Sequence, residues 1–196
     1  MTPKRLSILL GMLAVAVLLV VGLLQLGAKT ATTAPLLETV AQMRRSLSGS
    51  PEPLAALHEQ ASEVLSGGLP ALRARLAEFR DRPTVINKWA SWCEPCKAEF
   101  GAFQRVSLSR GRSVAFLGID SGDSSRSAAL RFLRSYPVSY PSFYDPSGQL
   151  GLAITDSTFT PVTVFYNRSG SEFIHQGPYT SVAKLEADVR RYALDG

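Results

Sequence analysis

Cys93 and Cys96 are the residues whose type and spacing most clearly predict chemistry. They are the only cysteines of the chain, and two residues separate them. Thiols at this spacing can close a disulfide with each other, and a thiolate can attack the disulfide of another molecule. A zinc site would need four ligands, and the only histidines, His58 and His175, lie far apart in the sequence. A purely structural disulfide would close too short a loop to stabilise the chain much. The pair therefore predicts a redox dithiol.

The residues around the cysteines predict a strand that leads directly into a helix. Residues 84–90 are rich in apolar and β-branched side chains, and the apolar residues of 97–110 approach helical spacing. Cys93 would then lie at a helix N-terminus, where free N–H groups and the helix dipole favour a thiolate. Pro95 falls in the first helical turn, where its missing N–H costs little. We expect Cys93 to attack the substrate and Cys96, one turn further and less exposed, to resolve the mixed disulfide.

The chain resembles membrane-anchored thioredoxin-like thiol–disulfide oxidoreductases of the TlpA/ResA type. The resemblance rests on the motif Asn-x-Trp-Ala-Ser-Trp-Cys-x-Pro-Cys-x-x-Glu, residues 87–99, and extends over residues 83–192. Two positions depart from the family pattern: Gly101 replaces a usual proline and Lys88 a usual phenylalanine. The resemblance implies a thioredoxin-like α/β fold, with a central mixed sheet flanked by helices. It also implies a reductase of protein disulfides, of the type used in cytochrome c maturation.

A proline loop and two tryptophans are expected around the dithiol. By resemblance, Thr160 and Pro161 correspond to the cis-proline loop that faces the dithiol in this superfamily. Such a loop offers the backbone of the residue before the proline to an extended substrate, as an added strand would pair. The alternative is a trans proline at the start of an edge strand. Phe159 stands where the family often has glycine, which predicts a reshaped substrate groove. Trp89 and Trp92 are expected to pack around the dithiol, with a role in the core alone as the alternative.

Two carboxylates near the cysteines are candidates for tuning their protonation. Asn87 takes the place of the buried acid of cytoplasmic thioredoxins, so another group must manage the proton of Cys96. Glu99 lies on the same helix face as Cys96 and is that candidate, partly shielded by Trp89 and the proline loop. The alternative for Glu99 is an ordinary solvated carboxylate. Glu94, between the cysteines, should disfavour the thiolate and favour reducing behaviour.

The remaining pattern predicts the thioredoxin order of elements, preceded by short helices. Apolar residues at helical spacing predict helices over 36–47 and 69–79. Between them, a further helical face is predicted from Leu54, Leu57, Ala61, Val64 and Leu65. His58 is expected at the surface. After the active-site helix we expect a buried strand over 114–120, a helix capped within 123–125, at most a short strand over 140–144, a hairpin of 158–166 and 171–176, and a last helix capped by Thr180 or Ser181.

The N-terminal residues predict a membrane anchor. Lys4 and Arg5 precede an uncharged run over 6–28, and a bilayer-spanning helix needs about 20 residues. A cleaved signal peptide is the alternative, but its apolar core is normally about 7–15 residues long, and no Ala-x-Ala-like site follows Leu26. The basic residues favour a cytoplasmic N-terminus, and a disulfide-handling domain fits the oxidising side. We therefore predict a single-pass membrane protein with its catalytic domain outside the cytoplasm: anchor 1–29, tether and helical extension 30–68, thioredoxin-like domain 69–196.

The formal charge of +5 does not indicate nucleic-acid binding. Three of the positive charges, Lys4, Arg5 and Lys29, flank the anchor, and no cluster of basic and aromatic residues appears. The resemblance implies instead protein disulfides as substrates, among them the Cys-x-x-Cys-His haem site of apocytochrome c. It also implies a membrane electron donor of the CcdA/DsbD type. No cofactor is expected beyond the Cys93–Cys96 disulfide itself, and no metal.

Two other functions share the fold. A dithiol oxidase would use the same motif with electrons flowing in the opposite direction. A copper-binding chaperone of the Sco type would hold the metal with two cysteines and a distant histidine, for which His175 is the candidate. Those chaperones usually space their cysteines one residue further apart, which disfavours this function.

Overall fold

The computed structural model describes residues 37–196. The predicted anchor, residues 6–28, lies outside that part of the chain and stays a prediction. Within residues 37–196, no helix is both long enough and apolar enough to cross a membrane.

One mixed sheet forms the centre of the described part, with six strands in the order β1-β4-β3-β2-β5-β6. Its strands are β1 (Val64–Leu65), β2 (Thr84–Trp89), β3 (Ala115–Ser121), β4 (Ser142–Asp145), β5 (Val162–Tyr166) and β6 (Glu172–Gln176). Strands β1 to β4 run parallel, whereas β5 is antiparallel to both β2 and β6. Every residue of β2 and β3 is buried, as expected for the centre of a sheet covered on both faces.

Helices cover both faces of this sheet. They are α1 (Val40–Ser46), α2 (Leu54–Glu59), α3 (Gly68–Glu78), α4 (Glu94–Arg110), α5 (Arg126–Ser135), α6 (Gln149–Thr155) and α7 (Val182–Asp188), which continues as a π-helix (Val189–Leu194). Side-chain oxygens cap several of them: Ser125 Oγ accepts the Ala128 N–H at 3.3 Å, and Ser181 Oγ accepts the Lys184 N–H at 3.4 Å. Of the two predicted caps for the last helix, Ser181 is therefore the one used.

Alternation along β2 assigns its side chains to two hydrophobic clusters. Val85 and Trp89 belong to one cluster with residues of α4, α5 and α7. Ile86 belongs to the other, with residues of α2, α3 and α6. Because successive strand residues face opposite sides, Asn87 lies on the α4 side and Lys88 on the α6 side. This division decides which residues can reach the dithiol.

The predicted elements of the central sheet are confirmed, including the continuous strands β2 and β3 and the hairpin β5–β6. The predicted helical face through Val64 and Leu65 is wrong, because both residues form β1 and pair with β4. Strand β1 lies in the segment 30–68, so the sheet begins before residue 69. Helix α6 follows Gly148, which has φ +74°, and was not predicted.

The prediction that His58 lies at the surface is also wrong. Its side chain on α2 is buried, and a Cβ added to Gly111 would lie 3.2 Å from its Nε2. The absence of a side chain at Gly111, the residue after α4, therefore leaves room for the imidazole. Burial lowers the pKa of His58.

Candidate active site

Cys93 and Cys96 form a disulfide where β2 passes into α4. Cys93 is the N-cap of α4, and its Sγ accepts the Cys96 N–H at 3.2 Å. On reduction, that N–H and the positive end of the helix dipole would stabilise a thiolate on Cys93. Cys93 is 3% exposed and Cys96 0%, so Cys93 is the sulfur that another molecule can reach. Pro95 lies in the first turn of the helix, as predicted.

The loop that contains Pro161 faces this disulfide. The peptide bond between Thr160 and Pro161 is cis, which confirms the prediction made from the resemblance. The carbonyl oxygen of Thr160 lies 3.7 Å from Cys93 Sγ. Phe159, the preceding residue, is 72% exposed. A peptide that pairs with the backbone of this loop would therefore lie directly beside Cys93.

Glu99 is completely buried on α4, so the alternative of a solvated carboxylate is wrong. Its Oε2 accepts the backbone N–H of Tyr179 at 3.1 Å, and its Oε1 has no hydrogen-bond partner among residues 37–196. Burial raises the pKa of Glu99 to about 8, although the Tyr179 N–H and the nearby Asn87 amide favour the charged form. Such a group can both hold and accept a proton near neutral pH.

Asn87 is buried on the same side of the sheet as Glu99. Neither atom of its amide group makes a well-formed hydrogen bond within the described residues, although the amide lies near Glu99 and Tyr140. The position that carries an acid in cytoplasmic thioredoxins is thus neutral here. Glu99, one turn after Cys96 on α4, is the buried carboxyl group on the active-site helix.

Tyr179 was missed by the sequence analysis. Its hydroxyl donates to Asp188 Oδ2 at 2.8 Å, and Lys184 Nζ donates to both oxygens of Asp188 at 2.7 Å. Tyr179 is therefore held by its side chain while its backbone binds Glu99. The only local sequence signal near Tyr179 is the Gly-Pro turn after β6. Nothing in the sequence indicates that Tyr179 contacts a residue on α4.

The ring of His175 packs against Tyr179, with 4.2 Å between ring centroids. Burial lowers the pKa of His175. In the part of the chain that the structure describes, no group of three or more His, Cys, Asp or Glu side chains is arranged to hold a metal ion. His175 is thus placed as a packing partner of Tyr179.

The two tryptophans have different surroundings. Trp89 is fully buried, stacks on Phe132 with 4.9 Å between centroids, and donates its indole N–H to Ser142 Oγ at 3.1 Å. Trp92 is 64% exposed and donates to the Gly122 carbonyl at 3.2 Å. The alternative of a core role is therefore wrong for Trp92, because the neighbouring loop accepts its indole N–H and leaves the ring in solvent. The ring instead adds apolar surface next to Cys93.

Glu94 is exposed and paired. Its Oε2 lies 2.6 Å from Lys97 Nζ, one turn further along α4. The lysine offsets the negative charge, so the predicted repulsion between Glu94 and a thiolate on Cys93 is weakened.

A buried acid pair lies behind the loop that precedes Cys93. Asp123 accepts the N–H and the hydroxyl of Ser91 at 3.1 and 2.9 Å and so holds this loop, while Ser125, within the predicted range 123–125, caps α5. Asp120 beside it is fully buried, and its two carboxyl oxygens have no partner in the described segment. Burial and the neighbouring Asp123 raise the pKa of Asp120 to about 9. The sequence predicts Asp120 only as part of a buried strand.

The profile of the Redoxin family matches residues 71–170, just over half of the chain. The chain belongs to the Redoxin family. The match contains both cysteines and the cis-proline loop, so the two features that face each other in the structure both fall within the family region.

Similar proteins confirm the predicted TlpA/ResA-like relationship. The thiol–disulfide oxidoreductase ResA of Bacillus subtilis is 29% identical over 99 residues, which cover 50% of this chain and 54% of ResA. The thiol:disulfide interchange protein DsbE of Allochromatium vinosum is 34% identical over 70 residues, 35% of this chain and 37% of DsbE. The chain thus spans about half or less of the length of these relatives. The names of ResA and DsbE support an oxidoreductase domain in this chain.

Solved structures confirm the thioredoxin-like fold. The MTB DsbF structure has a TM-score of 0.53 and 26% identity, and the match covers 58% of this chain and 82% of DsbF. A secreted Mycobacterium tuberculosis disulfide oxidoreductase homologous to E. coli DsbE has a TM-score of 0.53 and 24% identity, covering 59% of this chain and 85% of that protein. The latter similarity concerns the fold alone.

Proposed function

We propose that this Redoxin-family protein is a thiol–disulfide oxidoreductase that reduces disulfides in other proteins, with the Cys93–Cys96 pair as its only redox centre. The observation that carries the proposal is the position of Cys93, which caps α4 and lies 3.7 Å from the Thr160 carbonyl. The helix end supports a thiolate, and the loop offers backbone to an extended substrate. ResA and DsbE, which carry the names of thiol–disulfide exchange proteins, support the same chemistry.

The reaction begins with the reduced dithiol. The Cys93 thiolate attacks one sulfur of the substrate disulfide, whose S–S bond breaks, and a mixed disulfide forms. The released substrate sulfur takes up a proton. Cys96 then loses its proton to Glu99 and attacks Cys93 Sγ, which closes the Cys93–Cys96 disulfide and expels the second substrate sulfur as a thiolate. This thiolate takes up a proton from Glu99 or from water. Two electrons have passed to the substrate, and a thiol donor of the CcdA/DsbD type would return the pair to the dithiol.

The burial of Glu99 supports its proposed role in the second step. An ionised carboxylate near Cys96 opposes further negative charge on the thiols, so it raises their pKa and withholds the thiolate stabilisation that makes a dithiol strongly oxidising. The same carboxylate accepts the proton when Cys96 attacks. The direction from dithiol to substrate disulfide, rather than the reverse, rests on this effect.

The reduction potential of the purified protein tests the direction. We expect a value nearer to thioredoxin, about −270 mV, than to the strong oxidant DsbA, about −120 mV. A mixed-disulfide assay should also show faster reduction of a protein disulfide than oxidation of a protein dithiol. A potential near that of DsbA, together with faster oxidation, would identify a dithiol oxidase instead.

The location proposed for this domain is the extracytoplasmic side of the membrane. The uncharged run over 6–28 after Lys4 and Arg5 supports an uncleaved anchor. An anchored domain there could reduce the haem-site cysteines of apocytochrome c. The full chain should stay with membranes after a high-salt wash, and external protease should digest the domain while sparing the N-terminus. Recovery of a soluble form that begins near Thr30 would show that the run is a cleaved signal.

A further inference from the structure

Lys88 is a buried basic residue in the central strand β2. It is 2% exposed, on the α6 side of the sheet, and its Nζ donates to the carbonyl oxygen of Ser157 at 2.6 Å. Lys88 forms no ion pair within residues 37–196. Burial lowers the pKa of Lys88, although Asp145 favours its charged form.

The surroundings of Lys88 fix its side chain in one direction. A Cβ added to Gly151 on α6 would lie 2.8 Å from Lys88 Cε and 3.1 Å from Cδ. The Gly151 N–H is itself bound by Asp145 Oδ2 at 2.8 Å, which holds this turn of α6 in place. The aliphatic part of Lys88 therefore occupies space that a side chain at position 151 would fill. The amine of Lys88 can then reach the C-terminal end of α6.

Ser157 connects this amine to the proline loop. Its carbonyl accepts from Lys88, and its Oγ accepts the backbone N–H of Phe159 at 3.1 Å. The next residue is Thr160, whose carbonyl lies 3.7 Å from Cys93 Sγ. A chain of contacts thus runs from β2 through Ser157 to the backbone that faces the reacting sulfur.

We propose that Lys88 is a positioning residue that fixes residues 157–161 and thereby the place of Phe159 beside the dithiol. The substrate class that follows is an extended peptide with an apolar side chain next to its disulfide cysteine. Phe159 and Trp92 are 72% and 64% exposed, one on the proline loop and one before Cys93, and can contact such a side chain. This inference rests on the proposed function, since it concerns the same site.

A role in positioning is distinguishable from a role in stability. Burying an amine without an opposing charge is unfavourable, so an apolar residue at this position should not destabilise the fold through lost charge. Lys88→Met keeps most of the stem and removes the amine. If Lys88 positions the loop, the free energy of unfolding of the variant should stay near that of the wild type. Residues 157–161 should then no longer be fixed in position.

The test compares two substrates in the full chain. One is a peptide disulfide with a leucine beside each cysteine, and the other is bis(2-hydroxyethyl) disulfide, which has neither a peptide backbone nor an apolar side chain for the loop to bind. We expect Lys88→Met to lower kcat/KM for the peptide about tenfold, mainly through KM, because a bond to a charged donor is lost. Turnover of the small disulfide should stay at the wild-type rate.

Two further variants make the test specific. Ser157→Ala frees the Phe159 N–H without changing the lysine, and it should reproduce the rise in KM even if Lys88→Met folds poorly. Ser107→Ala removes the buried hydrogen bond from Ser139 Oγ, 2.7 Å long, away from the loop. This control should lose stability while keeping the wild-type ratio between the two substrates.

Hydrogen exchange at the Phe159 amide provides a readout that does not depend on activity. We expect faster exchange in both Lys88→Met and Ser157→Ala, with unchanged exchange at Val164 in β5. A wild-type protein that reduces no peptide would overturn the proposed function, while the exchange rates would still decide the role of Lys88. Wild-type peptide KM and wild-type exchange in Lys88→Met would overturn the inference, as would an equal loss on both substrates.

Discussion

The carboxylate of Glu99 and the backbone N–H of Tyr179 are joined by a hydrogen bond of 3.1 Å, although 80 residues separate them in the sequence. This bond links the active-site helix α4 to the segment after β6. It occupies one oxygen of Glu99 and leaves Oε1 without a partner among the described residues. A buried carboxyl group held at one oxygen and open at the other is suited to exchange a proton with a neighbouring thiol.

Glu99→Gln should separate the attack of Cys93 from the release of the mixed disulfide. Glutamine cannot accept the Cys96 proton, so we expect release to slow about a hundredfold at neutral pH, within the range of general base catalysis. The wild-type release rate should rise with pH up to about pH 8, the pKa of Glu99, and this inflection should be absent in the variant. The apparent thiol pKa should fall, because the coupled negative charge is gone. Stopped-flow mixing and thiol titration measure both.

Glu94→Gln is the matched control for that experiment. It makes the same chemical change at an exposed carboxylate on the same helix, paired with Lys97. Its release rate should stay near that of the wild type. Equal behaviour of Glu99→Gln and the wild type in both measurements would exclude a role for Glu99 in proton transfer.

Cys96→Ser should trap substrates. Cys93 keeps its position at the N-terminus of α4 and can still attack, but no second thiol resolves the mixed disulfide. We expect adducts with natural protein substrates that disappear on reduction, seen by non-reducing electrophoresis and identified by mass spectrometry. Cys93→Ser should capture far less, because Cys96 is fully buried. Similar adduct levels in the two variants would contradict the assignment of the attacking and resolving thiols.

The sheet and the dithiol could be predicted because their signals are local. Continuous apolar runs mark β2 and β3, whose residues are all buried, and the cysteine spacing alone indicates a redox pair. The cis bond before Pro161 was predictable only from the family resemblance, since composition carries no signal for it.

Contacts between distant segments could not be predicted in this way. Val64 and Leu65 fit a helical face, but pairing with β4 decides their conformation. The cap predicted within 123–125 is Ser125, but the bond from Ser91, 32 residues earlier, to Asp123 has no local signal. The Tyr179 N–H has no sequence signature at all, because every residue except proline offers the same donor.

Asp120 is the strongest case of a site residue without a sequence signal. It pairs with Trp89 in the register of β2 and β3, is fully buried, and lies beside Asp123, which holds the loop before Cys93. Two buried carboxyl groups this close cannot easily both be ionised, so one of them retains its proton. Burial and the neighbouring Asp123 raise the pKa of Asp120 to about 9, so we expect Asp120 to hold a proton at neutral pH.

The contribution of Asp120 to the stability of the oxidised domain, residues 37–196, should therefore fall as pH rises. An unfolded aspartate loses its proton at about pH 3.9, whereas folded Asp120 keeps it to about pH 9, so the folded state binds more protons in between. The contribution is complete below the unfolded pKa and is lost as pH rises through the folded pKa, at up to about 1.4 kcal/mol per pH unit. Glu99 acts in the same direction up to about pH 8.

Asp120→Asn should remove the part of this pH dependence that Asp120 causes. The neutral amide has no proton to lose. The difference between the free energies of unfolding of the variant and the wild type should therefore shift in favour of the variant between pH 5 and pH 8, by roughly 1 kcal/mol per pH unit. Urea unfolding at several pH values, with the disulfide intact, measures the two curves. Asp81→Asn, at an exposed position, is the control and should run parallel to the wild type. Parallel curves for Asp120→Asn and the wild type would show that Asp120 does not carry the buried proton.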